Sequence, residues 1–296
     1  EVQERADSLA EGFVRQVEKE LDSSIGLQRL QRGGLIVLST LDADLQQQLV
    51  CTSTTQLMRV QYSNLTGVAP EGFECEADLL LPTQGFSDFS GGRLAAAGLV
   101  MDPASGEVLA YLEPMTLAGK RLNDSGYQPG SLLTPIVAFS SFSRGYSPAS
   151  LTWDVPSPLV NDLVDENYTY HGAVNLRTAL ANDYLSPVVK LINEIGAENV
   201  WRSAVLVGLE SLSPSPADAE PIFAGFDTGL LQLGTAYSTF ANMGVRSGRL
   251  DPQTGMILPQ TVREVKTVNG VVLMESAAPQ KLVILDEPLA YLVNHV

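Results

Sequence analysis

A serine that follows a Pro-Gly pair is the residue of this sequence whose surroundings best suit chemistry. Ser131 comes directly after Pro129-Gly130 and directly before the largely apolar segment 132–139. This pattern predicts the start of a buried helix, where unpaired backbone N–H groups and the positive end of the helix dipole favour negative charge. These features suit a nucleophilic oxygen and an ordinary helix N-cap equally well, and the spacing alone favours the cap.

The neighbouring residues give Ser131 a more specific context. The run 127–135, Tyr-Gln-Pro-Gly-Ser-Leu-Leu-Thr-Pro, resembles the R-x-x-P-G-S-x-x-K-P segment of penicillin-binding transpeptidases. In that family the serine attacks an acyl-D-Ala-D-Ala donor or a β-lactam, and the lysine one helical turn later is its base and proton shuttle. Here Thr134 stands where the resemblance places the lysine. A threonine hydroxyl accepts no proton near neutral pH, so Ser131 is expected to stay protonated and a poor nucleophile.

The second catalytic motif of the family is also altered. Segment 176–189 resembles L-R-x-A-L-A-x-S-x-N-x-P-A-V, whose serine relays a proton to the leaving amine and whose asparagine binds the substrate amide. The resemblance places Asp183 at the serine and Leu185 at the asparagine. Leu185 has no polar side-chain atom, and Asp183 lacks a lysine partner for the relay. A shift of the register would bring Asn182 or Ser186 into the motif instead, and this alternative stays open.

Three other side chains are conceivable bases for Ser131. Lys120 precedes it, Lys190 follows the second motif, and a desolvated lysine can accept a proton. His171 is the third candidate. For each, an exposed side chain or a turn is the more ordinary interpretation. His171 and His295 lie far apart without a neighbouring acidic cluster, so neither a metal nor another cofactor is expected.

Further segments resemble the same family in the same order. Segment 33–46 resembles the linker that joins the glycosyltransferase and transpeptidase domains of class A penicillin-binding proteins. Segment 97–110 resembles the family's first hairpin, with its D-P-x-T-G turn, and 231–244 resembles its A-Y-x-x-F-A-N-x-G helix. The resemblance implies a linker or small N-terminal subdomain over 1–92 and a transpeptidase-like domain over 93–296.

Periodicity and turn residues predict a mixed α+β chain. Helices are expected over 2–21, 43–49, 136–139, 174–181, 187–192, 229–244 and 287–293, and strands over 33–41, 94–101, 107–112, 261–265 and 271–274. Segment 52–92 is expected to be irregular. The resemblance implies an antiparallel sheet flanked by helices, as in penicillin-binding transpeptidases and serine β-lactamases. The family's third motif, K-T-G, is absent from the 296 residues. The fold is therefore expected to be truncated before the K-T-G strand, and a partner or further chain to complete the sheet.

Composition limits the possible partners and compartments. The chain has 34 acidic and 18 basic residues and a net charge of −16, which disfavours nucleic acids and anionic lipid surfaces. It contains no apolar run near the roughly 20 residues of a membrane span. Cys51 and Cys75 could form a disulfide, typical of an oxidising compartment, or remain two free thiols. Because Glu1 is not an initiator methionine, we expect a fragment or a processed piece.

These observations predict a catalytically degenerate domain. The expected role is that of a non-enzymatic scaffold, assembly subunit or cell-wall-associated binding protein in the periplasm or at the cell surface. The resemblance implies peptidoglycan stem peptides as ligands, and membrane association through sequence not present here. One alternative is an active D,D-transpeptidase or carboxypeptidase that is acylated at Ser131 with an unusual base. Another is a muropeptide or β-lactam sensor that binds without turnover.

Overall fold

The computed structural model describes residues 2–62, 75–79, 94–116, 129–158, 160, 168–209, 228–251, 254–276 and 278–296. Close backbone contacts divide the chain into two compact units. Unit 1 joins Glu1–Asp124 to Ser247–Lys281, and unit 2 joins Ser125–Arg246 to Leu282–Val296. The boundary that the sequence suggested at residue 92 stays a prediction.

The described residues combine helices with antiparallel strands, which confirms the predicted fold class. The helices are α1 (Val2–Ile25), α2 (Leu27–Gln31), α3 (Ala43–Tyr62), α4 (Thr134–Phe142), α5 (Leu176–Ala181), α6 (Leu185–Ile195), α7 (Ala197–Val207), α8 (Leu230–Ala241) and α9 (Glu287–His295). The strands are β1 (Leu35–Ser39), β2 (Ala95–Met101), β3 (Val108–Thr116), β4 (Leu151–Asp154), β5 (Gly172–Asn175), β6 (Val245–Leu250), β7 (Ile257–Leu258), β8 (Val262–Thr267), β9 (Val272–Glu275) and β10 (Gln280–Val283). None of the described helices is long and apolar enough to cross a membrane.

Unit 1 is built around an antiparallel sheet with the strand order β1-β8-β9. Val37 lies opposite Val265 on β8, and Val265 lies opposite Met274 on β9. Leu21 of the amphipathic helix α1 packs against Val262 and Val265, so the fourth-residue spacing in the sequence marks the face that α1 buries. The predicted β8–β9 hairpin is present.

The β2–β3 hairpin of unit 1 has the turn that its sequence predicts. Asp102 accepts hydrogen bonds from the Ala104 N–H at 3.0 Å and the Ser105 hydroxyl at 2.6 Å, which lower the pKa of its carboxyl group. Gly106 closes the turn at φ +77°, and a Cβ there would lie 2.1 Å from a backbone oxygen of Ser247. Glycine is therefore required at this position by both conformation and space.

Several local predictions differ from the structure, and three examples follow. Helix α3 continues to Tyr62, so the prediction of an irregular stretch from residue 52 is wrong over 52–62. At its start, Asp42 caps this helix by accepting the Leu45 N–H at 3.0 Å. Strand β4 lies in a Pro/Ser-rich stretch for which no strand was expected. The helix predicted from residue 174 begins at Leu176 because Asn175 ends β5 and caps α5.

Unit 2 has the larger apolar core, and α4 lies within it. Every residue of α4 except Pro135 is buried, and the helix carries no charged side chain. It packs against α6, α7 and α9, and the ring of Phe139 meets Phe240 of α8 edge to face, with centroids 6.0 Å apart. This buried helix provides a rigid support for the turn that carries Ser131.

Candidate active-site cluster

Ser131 lies in a short 3-10 turn, Gly130–Leu133, that leads directly into α4. Gly130 has φ +52°, and a Cβ there would meet no neighbour, so the glycine is needed for its backbone conformation alone. Leu133 is buried and the Leu132 N–H donates to the Pro129 carbonyl at 3.0 Å. The turn is thus anchored in the core while Ser131 itself remains exposed.

Thr134, which the sequence resemblance aligns with the family's lysine, forms a neutral hydrogen bond. Its side chain is buried, and its Oγ1 donates to Oδ1 of Asp183 at 3.2 Å. Ser131 and Thr134 are three residues apart across the 3-10 turn, a spacing that places side chains on one face. The structure therefore brings Thr134 and Asp183, the residues predicted to replace two motif residues, into direct contact.

Asp183 lies in the turn between α5 and α6 with an unusual backbone conformation. Its φ of +54° is in the left-handed region, where aspartate is tolerated better than most residues with a side chain. The turn is held by two backbone bonds, from the Asp183 N–H to Leu180 at 3.2 Å and from the Tyr184 N–H to Ala179 at 2.8 Å. Within the described residues no lysine, arginine or histidine forms an ion pair with its carboxylate.

Leu185 and the two alternative motif residues all have structural contacts. Leu185 begins α6 and packs against the apolar core of unit 2. Asn182 donates its side-chain amide to the Thr178 carbonyl at 2.8 Å, and the buried Ser186 hydroxyl donates to Val155 at 2.8 Å. The polar groups of both alternatives are thus bound to backbone carbonyls.

Tyr237 of α8 completes what we call the Ser131 cluster, namely Ser131, Thr134, Asp183, Leu185 and Tyr237. Its hydroxyl donates to the Leu132 carbonyl at 2.9 Å, next to Ser131. Burial and, second, the charge of Asp183 raise the pKa of the Tyr237 hydroxyl. Tyr237 was part of a helix that resembles the family, yet nothing in that segment indicated its contact with the serine turn.

A second polar cluster in unit 2 was not anticipated. Asp154 is fully buried and accepts hydrogen bonds from the His171 backbone N–H and the His171 Nδ1, both at 2.9 Å, and from the Tyr168 hydroxyl at 3.1 Å. Burial, followed by the charge of Asp154, raises the pKa of Tyr168. The His171 ring stacks on Tyr184, with centroids 4.1 Å apart. No sequence signal relates Asp154 to a histidine 17 residues away.

The remaining candidate bases are not placed beside Ser131 by any described contact. Lys190 is exposed on α6 and its Nζ lies 3.9 Å from Glu194, one helical turn away. Lys120 lies outside the described residues. Across the described part of the chain, no group of three or more His, Cys, Asp or Glu side chains suits a metal ion.

Cys51 of α3 and Cys75 form a disulfide in unit 1. Their Cα atoms are 6.0 Å apart, a separation that ordinary disulfides have. The disulfide links α3 to Cys75, which directly precedes the 3-10 turn Glu76–Leu79. The two cysteines are 24 residues apart in the sequence.

Comparison with known proteins places the fold among the penicillin-binding transpeptidases. The PonA1 protein of Mycobacterium tuberculosis, solved in complex with penicillin V, matches 95% of this chain and 68% of its own with a TM-score of 0.68 and 19% identity. The imipenem acyl-enzyme complex of penicillin-binding protein A from Mycobacterium tuberculosis matches 87% of this chain and 61% of its own with a TM-score of 0.59 and 16% identity. The transpeptidase-like domain indicated by the sequence is confirmed.

The sequence comparison covers a shorter part of the chain. Penicillin-binding protein 4 of Bacillus subtilis is 27% identical over 128 residues, which cover 40% of this chain and 20% of that protein. No family model matches the chain. The match spans about a fifth of the curated relative, so its activity is not transferred to this chain, and chemistry has to be judged from the Ser131 cluster.

Proposed function

We propose that this chain is a transpeptidase-fold domain without acylation chemistry, which acts outside the cytoplasm as a binding or assembly unit of the cell wall. The hydrogen bond from Thr134 to Asp183 carries this proposal. Acylation requires a group that removes the proton from the serine hydroxyl. Thr134, three residues after Ser131 on the same face of the turn, has a hydroxyl that donates its own proton to the Asp183 carboxylate.

The second motif supports the same conclusion. Leu185 turns its apolar side chain into the core, so this position has no side-chain amide with which to bind a substrate amide. The fold itself is retained, since the turn, α4 and the α5–α6 connection are all present. A retained fold with altered chemical positions favours selection for binding or assembly, with peptidoglycan stem peptides or a protein partner as the candidate ligands.

The extracytoplasmic location is part of the proposal. The Cys51–Cys75 disulfide supports it, because such bonds persist in oxidising compartments. The net charge of −16 favours a soluble surface over one that binds anionic lipid.

Intact-mass spectrometry after incubation with excess penicillin tests the proposal directly. We expect the mass to remain unchanged, with Ser131→Ala as the matched control and circular dichroism to verify that both proteins are folded. A stoichiometric adduct on the parent chain that is absent from Ser131→Ala would overturn the proposal. Saturable binding of penicillin or a stem peptide without a mass change would support the sensor alternative.

One observation favours an active enzyme as the second candidate. Thr134 is hydrogen-bonded to Asp183, so in an active enzyme the serine proton would pass to the threonine oxygen while the threonine proton passes to the carboxylate. A carboxylate is a much weaker base than an unprotonated lysine amine, so such acylation would be slow. If an adduct forms, Asp183→Asn should abolish it, whereas a base elsewhere would leave the adduct unaffected by this substitution.

A further inference from the structure

The Ser131 cluster contains a carboxylate that lacks a positive partner among the described residues. Asp183 is exposed and receives one neutral hydrogen bond, from Thr134. Two other acidic side chains of unit 2 are compensated more fully: Glu198 pairs with Arg202, and Asp154 accepts three hydrogen bonds. An exposed carboxylate without a cation is ordinary on a mobile surface side chain, so the question is whether Asp183 is held in place.

Contacts on both sides hold the turn that carries Asp183. On one side, the Thr134 hydroxyl projects from the start of the buried helix α4 and donates to the carboxylate. On the other side, the ring of Tyr184 is stacked at an interplanar angle of 8° on His171, which the fully buried Asp154 fixes through two hydrogen bonds. The carboxylate is therefore preorganised, which reduces the entropy that a ligand has to overcome on binding.

The groups around this carboxylate define the chemistry of a complementary ligand. Tyr237 presents a partly exposed aromatic ring on α8, and the charge of Asp183 contributes to the raised pKa of its hydroxyl. Ser131 adds an exposed hydroxyl on the same face as Thr134. A carboxylate beside an aromatic ring and a hydroxyl suits an alkylammonium group, through charge-assisted hydrogen bonds and a cation–π contact.

We propose that the Ser131 cluster binds the lysine side chain of a basic partner polypeptide. This inference rests on the proposed function, since a cluster that acylates Ser131 would have to keep the same space free for its substrate. The net charge of −16 favours a basic partner as well, because it attracts positively charged chains at long range. The apolar stem of the lysine lies along the exposed part of the Tyr237 ring, while its ammonium group meets Asp183.

Calorimetric titration with the peptide acetyl-Gly-Lys-Gly-amide at about 0.15 M salt tests this proposal. We expect saturable binding that weakens about five- to tenfold in Asp183→Asn, the range that an ion pair with an added cation–π contact supplies. The same peptide with an acetylated lysine Nε carries no positive charge. Its affinity for the parent chain should not exceed the affinity of the lysine peptide for Asp183→Asn. Methylamine as a second probe separates recognition of the ammonium alone from recognition of the peptide.

Two control variants make the result specific. Asp286→Asn removes the same charge from another exposed aspartate of unit 2, at the start of α9, and should leave the affinity unchanged. Tyr291→Phe changes an exposed tyrosine of α9 outside the Ser131 cluster and should also leave the affinity unchanged. No binding to the parent chain, equal binding by Asp183→Asn, or equal weakening by Asp286→Asn would each overturn the proposal.

Failure of the lysine site and failure of the proposed function are distinguishable. A penicillin adduct on Ser131 would contradict the non-enzymatic role whatever the peptide does. An unchanged mass together with no peptide binding would leave that role intact and remove the lysine ligand.

Discussion

The buried glutamates of unit 1 and the exposed Asp183 of unit 2 show two different treatments of negative charge. Glu20 of α1 is buried and accepts the backbone N–H of Thr261 at 2.6 Å and its hydroxyl at 2.7 Å, with the Arg249 Nε 3.2 Å from its other oxygen. Glu113 of β3 is likewise paired with Arg15. Asp183 in unit 2 is exposed and receives one threonine hydroxyl.

This difference separates charges that hold the fold together from a charge available to a ligand. A buried carboxylate is tolerated only when donors and a cation compensate its lost hydration. An exposed carboxylate is hydrated and needs no such partner, so its fixed position in a left-handed turn has another origin. We infer that unit 1 uses its carboxylates for stability and that the Ser131 cluster uses Asp183 for recognition.

Removal of Arg249 should have the largest effect on stability. The substitution Arg249→Met leaves Glu20 buried without its cation, so we expect the free energy of unfolding to fall by about 3 kcal/mol. The matched control is Arg263→Met, since Arg263 pairs with Glu107 at a more exposed site, and its cost should stay below about 1 kcal/mol. Urea denaturation of both variants measures the two values, and equal losses would contradict the distinction between buried and exposed pairs.

The pH dependence of stability should reveal Glu20 itself. Burial, the largest influence, raises the pKa of Glu20 above its ordinary value of 4.5. The native state therefore holds this proton more tightly than the unfolded state does, and stability falls as the pH rises from 4.5 through the native pKa. Relative to Glu20→Gln, the parent chain should gain stability as the pH is lowered from 7 towards 4.5. A difference between the two proteins that is constant over this range would contradict the raised pKa.

Asp183→Ala and Asp183→Gly both lose the hydrogen bond from Thr134, so the difference in stability between these two variants reports the backbone conformation. A β-carbon at φ +54° is unfavourable, so Asp183→Ala should be less stable than Asp183→Gly by about 1 kcal/mol. Asp183→Asn should stay close to the parent chain, because asparagine tolerates the left-handed region. Thermal unfolding of the three variants checks the order. Met243, with φ +53°, provides the control, since Met243→Gly should be stabilising for the same reason.

The smallest effect is expected at Thr134. Thr134→Val keeps the shape of the side chain but removes the hydrogen bond to Asp183, which should cost about 0.5–1 kcal/mol. Thr134→Ser retains the hydroxyl and serves as the control for the bond. A loss of several kcal/mol in Thr134→Val, measured by urea denaturation, would place this threonine among the groups that hold the fold together and weaken the contrast with unit 1.

Much of the fold was predictable from short segments of the sequence. The turn before α4, the β2–β3 hairpin with its Asp102 and Gly106, and the Asn269-Gly270 turn between β8 and β9 depend on backbone preferences of a few adjacent residues. The order of these segments also indicated the transpeptidase-like domain. The assignment of Thr134 to the lysine position takes its register from the three neighbouring residues Pro-Gly-Ser and stays a prediction.

The contacts that give the site its character needed the tertiary structure. Thr134 and Asp183 are 49 residues apart, Asp154 and His171 are 17 apart, and Glu20 meets Thr261 across 241 residues. No local preference specifies which distant side chains meet, because that depends on how helices and strands pack around the core. The sequence by itself determined the local turns and supplied the prediction that two catalytic motifs of the family are altered. Only the packing of α4 against the α5–α6 turn decided that the Asp183 carboxylate lies beside Thr134 and accepts its hydrogen bond.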